Sequence, residues 1–207
     1  MQTTRAKAVN GFHWTKTLDY STSVSNNINS QHALYPVTLI STSNDQIQSK
    51  LDSLGLKLPQ PLKVPPNVKT PSAWIRIRKD KAYISGHGPQ NYDGSVAGPF
   101  GKVGTNDVSV EQGYESAKLA GLSILGSLKR ELGSLEKVAA WLQVRVMINT
   151  AEGFTKTANV ADGFSDLILE LYGLEAGMHA RSAIGVQALP LNLPVIVCAL
   201  VEILHDV

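Results

Sequence analysis

At 207 residues and a formal net charge of +2, the chain is long enough for one domain with a full core and short for two. One cysteine excludes an intrachain disulfide, no Cys/His spacing fits a zinc site, and no basic block with interleaved aromatics points to nucleic acid. The longest apolar run, Val195–Val201, falls far below the ~20 residues of a membrane helix, so neither a membrane nor a nucleic-acid partner is expected.

In chain order, residues 1–44 are rich in Ser and Thr and set Arg5, Lys7 and Lys16 against one acid, Asp19. They show no sustained period. The profile is that of a disordered leader or a transit peptide for a mitochondrion or plastid, without the apolar centre of a secretory signal. The expected location is cytoplasmic or organellar. Asp45–Leu56 reads as a short helix with Ile47, Leu51 and Leu54 on one face and Gly55 at its end. A proline-punctuated connector follows to Pro71, and the compact domain is expected from Ser72.

Ala73–Arg78 and Lys81–Ser85 read as strands around the turn Lys79-Asp80. Gly86–Gly101 is a glycine-rich loop, and Lys102–Gly104 admits a short third strand. Ser109–Leu132 is the long helix, capped by Ser109 and stopped by Gly133, with Ala117, Ala120, Gly121 and Ser123 small enough to approach a sheet. Ala139–Ile148 reads as a strand. Phe154–Leu171 reads as a second helix, with Gly173 as its stop. Arg181–Leu189 and Val195–Leu204 read as a closing strand pair joined by Pro190–Pro194. The order implies a two-layer α+β domain: a mixed sheet of about six strands with two helices on one face. Val144, Val146, Ile148, Ile184, Val186, Val195 and Val197 are too apolar for water on either side, so a homo-oligomer is expected to cover the second face. Cys198, inside the last apolar run, reads as an inert core thiol.

Arg181 opens a strand of alternating apolar residues. A guanidinium on a rigid element suits the grip of a carboxylate, and it equally suits a rim pair with a nearby acid.

Tyr83-Ile84-Ser85-Gly86-His87-Gly88-Pro89, followed by Ala180-Arg181-Ser182-Ala183-Ile184-Gly185-Val186 and Leu189-Pro190, resembles the reactive-intermediate deaminase superfamily, RidA/YjgF. That family is also called "endoribonuclease L-PSP" and has a chorismate-mutase-like fold. Val160-Ala161-Asp162-Gly163-Phe164-Ser165-Asp166-Leu167 and the later His-Ala-Arg are similar to one of its subgroups. The resemblance covers about residues 46–204. It implies a homotrimer with clefts between subunits. It also implies hydrolysis of 2-imino or enamine acids to 2-keto acids and ammonia, without metal or cofactor.

By the same resemblance Arg181 clamps the substrate carboxylate, and Ser85 with Gly86 lines the pocket floor. Trp74 stands near an aromatic wall, Asp162 at the pocket edge, and His179 within reach of the anion. Each has a plainer alternative. Ser85 suits a strand-end serine bonding its own turn, Trp74 core packing, Asp162 a solvated helix acid and His179 an exposed loop residue. The family's strand after Leu-Pro usually carries a glutamate, and here that position is Ile196. His87 replaces the usual glutamine and offers a proton-transfer group if its ring faces the cleft. Two functions follow: a deaminase, or a non-catalytic trimer that binds a small keto or amino acid. A ribonuclease is disfavoured, because the chain shows no metal-carboxylate cluster and no basic stripe for phosphates.

Overall fold

The computed structural model describes residues 45–64 and 71–204. The leader, residues 1–44, and the Pro65-Pro66 part of the connector lie outside the described residues. Helix α1, Gln46–Ser53, starts at Asp45, whose side chain accepts from the Gln48 amide. It buries Ile47 and Leu51 in the same core as the rest of the domain, whereas Leu54 is exposed.

Strands β1 (Ile75–Arg78) and β2 (Lys81–His87) form a hairpin whose turn places Lys79 at φ 52. Helix α2, Val110–Leu132, begins with a capping box in which Ser109 and Gln112 satisfy each other's backbone amides. Gly133 at φ 82 ends it, a backbone state that favours glycine. A 3₁₀ turn at Leu135–Lys137 leads into β3, Val138–Asn149. Helix α3, Thr157–Gly177, follows, then β4 (Ala180–Val186) and β5 (Val195–Ile203).

The fold is α+β, as expected, with a mixed five-stranded sheet in the order β1-β2-β5-β3-β4. Four differences from the sequence reading have physical causes. Lys102–Gly104 is no strand: Val103 alone bridges Val108 and Thr150, and the chain then turns. Phe154 precedes α3, and Gly173, at φ 72, interrupts that helix rather than ending it. The last two strands are not partners: β4 pairs in parallel with β3, and β5 runs antiparallel between β3 and β2. The Pro190–Pro194 segment therefore carries the chain over β3 instead of closing a hairpin.

The fourth difference concerns the sheet faces. Val144, Val146, Ile148, Val195 and Val197 are buried in the core with α2 and α3, so one helix layer suffices for them. The opposite face carries aligned rows: Arg76, Tyr83, Leu200 and Gln143, then Cys198, Arg145 and Ser182, then Ile196, Met147 and Ile184. The small residues of α2 serve its crossing with α3 as well as the sheet. A Cβ on Gly121 would lie 2.9 Å from Leu167, and one on Gly163 would meet the Tyr114 carbonyl.

Candidate functional site

The β2–β5 ladder contains a bulge between Ile84 and His87, where the extra residue changes which face the chain presents. Ser85 and Gly86 lie toward the open face, and His87, 4% exposed, turns into the helix side. Its Nδ1 donates to the Ser85 carbonyl at 2.7 Å, so Nε2 is the atom that accepts, from the Ser127 hydroxyl at 2.9 Å. Ser127 in turn accepts from Arg130 Nη2 at 3.1 Å. Burial, seconded by the Arg130 charge, pushes the His87 pKa below its ordinary value, and the Ser85 carbonyl opposes this. The ring is therefore neutral near pH 7. Trp74 meets it edge-on, with ring centroids 5.2 Å apart.

These groups open onto a cleft of about 620 Å³, a size that suits a small organic ligand. Its walls come from β2 and the following loop, from the end of α2, from Pro61-Leu62 of the connector, and from Leu193 and Ile196. Gly86 is needed at its floor, because a Cβ there would lie 2.8 Å from Ile196 Cγ2. The connector is pinned in place: Arg130 Nη1 donates to the Pro59 carbonyl at 3.0 Å, and Lys63 pairs with Asp93 at 2.6 Å.

Ser85 faces a smaller cleft of about 290 Å³ on the open face, with Arg76, Arg145 and Cys198. Its hydroxyl donates to the Ala73 carbonyl at 2.7 Å. That bond crosses to the segment before β1 from within β2, so Ser85 does not bond its own turn as the plainer reading expected. Cys198 is half-buried on this open face rather than in the core that the sequence suggested, and burial pushes its thiol up against the opposing pull of Arg145.

Arg181, Asp162 and His179 gather at another corner, where α3 meets β4. Arg181 Nη1 lies 2.9 Å from Asp162 Oδ1 and donates to Ser165 Oγ at 2.9 Å. The acid pair that the sequence allowed is present. Both contacts use Nη1; among the described residues, the Nε and Nη2 hydrogens have no partner, and together they form a fork of carboxylate width. His179 is half-buried rather than an exposed loop residue. Its Nδ1 donates to the Gly177 carbonyl at 2.7 Å, and Nε2 accepts from Ser165 at 2.9 Å. Burial and the Arg181 charge push its pKa down.

Within one chain these two groups of residues do not meet. β2 and β4 are separated by β5 and β3, three strand spacings or about 14 Å. The structure thus brings together Trp74, Gly86 and His87, and separately Arg181, Asp162 and His179, with Ser85 on the open face. Sequence reasoning missed Arg130, Ser127 and Gln90 of the larger cleft. Arg130 lies in the last turn of α2, where a cation needs no ligand to explain it.

Residues 75–203 match the family described as "YjgF/chorismate_mutase-like, putative endoribonuclease". The chain belongs to this YjgF-like family. Protein TCP17 of Trypanosoma cruzi is 32% identical over 162 residues, covering 78% of this chain and 96% of that protein. Among solved structures, Atu1372 of Agrobacterium tumefaciens, a protein of unknown function, is 32% identical with a TM-score of 0.67, over 77% of this chain and 92% of its own. A Shewanella oneidensis protein described as a putative endoribonuclease is 27% identical with a TM-score of 0.68, over 76% of this chain and 99% of its own. The fold expected from the YjgF resemblance is therefore the fold observed. No helix among the described residues is long and apolar enough to cross a membrane.

Proposed function

We propose that this YjgF-like chain hydrolyses reactive 2-imino or enamine acids to 2-keto acids and ammonia, as a homotrimer with its sites between subunits. One observation carries the reading. Each chain holds two half-sites spread along the strand order of the sheet, a cleft with Trp74, Gly86 and His87 and a forked Arg181, about 14 Å apart in strand spacing. A ring-closing, head-to-tail assembly joins such halves, with Arg181 of one chain closing on the cleft of the next. The exposed Tyr83 and Ile184, with Met147 and Leu200, offer apolar surface for that contact on the open sheet face.

In this reading Arg181 grips the carboxylate through Nε and Nη2, and Asp162 fixes the guanidinium from Nη1. Water attacks the electrophilic C=N carbon. One water proton passes through the Ser127 hydroxyl to neutral His87 Nε2 and on to the nitrogen, giving the carbinolamine. Its hydroxyl proton then follows the same route to nitrogen as the C–N bond breaks, so C=NH and water become C=O and ammonia. This route stands in for the acid whose place Ile196 takes. Neither a metal nor a cofactor is required.

A second reading has its own observation. Ile196 sets an apolar side chain on the cleft wall where the resemblance puts a glutamate, which favours a trimer that binds a keto or amino acid without turning it over. Ammonia release from 2-iminobutanoate, generated in solution, separates the two. The deaminase reading expects activity that Arg181→Ala lowers at least about tenfold, through the lost charge-assisted contacts. No activity in folded wild type, with 2-oxobutanoate still binding, supports the binding trimer. RNA cleavage that survives purification and disappears in Arg181→Ala overturns both.

A further inference from the structure

The end of the cleft beneath α2 carries hydrogen-bond donors that the chain itself does not use up. Arg130 spends one hydrogen of Nη1 on Pro59 and one of Nη2 on Ser127. A guanidinium has five, so three remain. Among the described residues no carboxylate pairs with it. Arg130 is exposed at the cleft; partial desolvation lowers its pKa from the ordinary value, and a guanidinium stays charged at physiological pH. Gln90, 7% exposed, lines the same cleft, and its buried Nε2 has no acceptor. An unpaired buried amide is unusual, and a ligand oxygen within a half-turn of that amide satisfies it. Glu131 lines the same wall but is exposed and makes no ion pair with Arg130, so it disfavours an anion only on its own side.

Much of the remaining lining is apolar, including Leu62, Trp74, Val96, Leu193 and Ile196. The cleft, about 620 Å³, is several-fold larger than a four-carbon acid needs. A largely apolar lining that also holds a cation with unused donors and an unpaired amide fits an aliphatic side chain that ends in a second carboxylate.

We propose that this cleft selects 2-imino or 2-oxo acids whose side chain ends in a second carboxylate, read by Arg130 with Gln90 while Arg181 reads the first. The inference rests on the reading of Arg181 above and adds the side-chain class of the substrate. It assigns Arg130, Gln90 and the connector to specificity rather than to the bond-breaking step.

The test uses 2-oxoadipate and 2-oxohexanoate, which differ only in the terminal carboxylate, with the full chain and calorimetric or thermal-shift titration. Wild type is expected to bind the diacid about tenfold or more tighter than the monoacid. Arg130→Leu is expected to abolish that preference. Arg130→Lys, which keeps the charge without the fork, is expected to retain part of it, and this variant covers any loss of the Pro59 contact. Arg181→Ala is expected to weaken both ligands alike. Equal affinity for the two acids in wild type, binding of neither, or a preference that survives Arg130→Leu overturns the proposal. An Arg181→Ala variant that binds normally counts against the shared clamp alone, since the diacid preference is read independently of it.

Discussion

Two histidine corners of this molecule share one hydrogen-bond order. In each, Nδ1 donates to the carbonyl two residues earlier, Nε2 accepts from a helix serine, and that serine accepts from an arginine. At the β2 end the residues are His87, Ser127 and Arg130; at the β4 edge they are His179, Ser165 and Arg181. The difference lies in what surrounds the arginine. Arg181 has Asp162 at 2.9 Å, whereas Arg130 has a backbone carbonyl and the open cleft. A paired arginine is oriented by its own chain, and an unpaired one at an apolar cleft still has binding capacity to offer. In the proposed reading one local motif serves the carboxylate clamp at one corner and side-chain selection at the other.

The largest expected effect separates the two aromatic supports. Phe164, fully buried, packs edge-on to Trp141 at 5.5 Å and to His179 at 5.9 Å. Phe164→Ala is expected to cost about 3–5 kcal/mol in denaturant unfolding, through lost transfer energy and a cavity. A loss under about 1 kcal/mol would mean that α3 repacks freely and that the Arg181 corner is not rigidly based.

Next comes pH. Both histidines have folded pKa values pushed below 6.5 by burial. Below 6.5 the unfolded chain therefore binds more protons than the folded one, and stability falls as pH drops from there toward the folded values. One such group contributes a slope of at most about 1.4 kcal/mol per pH unit. His87→Gln is expected to flatten the acid limb of a stability–pH curve more than His179→Gln, because His87 is the more deeply buried. Equal flattening would erase the contrast between the corners.

Much of this architecture was legible in the sequence because it is local. Ser109 and Gly133 mark α2 by capping chemistry, and the alternation after Arg181 marks β4. Strand partnership was not legible. Arg181–Leu189 and Val195–Leu204 looked like a hairpin, but pairing depends on which strand the other apolar edges admit, and β3 took the place between them. The site divides in the same way. Arg181, Gly86 and His87 stand out by motif. Arg130, Ser127 and Gln90 come from a helix end and a loop whose convergence only the fold reveals.

Trp74 sharpens the comparison at the cleft. It is 38% exposed and covers His87 at 5.2 Å. Trp74→Ala is expected to cost about 1 kcal/mol of stability, the scale of one aromatic pair. It is also expected to raise the His87 pKa toward 6.5 by admitting water, a change that NMR titration of the ring would detect.

The smallest expected change in stability is at Asp162. Its side chain is 45% exposed, so solvent screens the pair with Arg181, and Asp162→Asn is expected to cost about 0.2–1 kcal/mol. Its effect on ligand is the informative quantity. If Asp162 holds Nη1 so that Nε and Nη2 face a carboxylate, Asp162→Asn loosens the fork and weakens 2-oxo acid binding severalfold. The cleft residues are untouched, so any turnover at saturating substrate stays near wild type, and KM moves while kcat does not. A variant with a small shift in unfolding midpoint and unaltered affinity would make the pair a rim contact only. Arg181 would then share with Arg130 its hydrogen-bond pattern and not its capacity to bind.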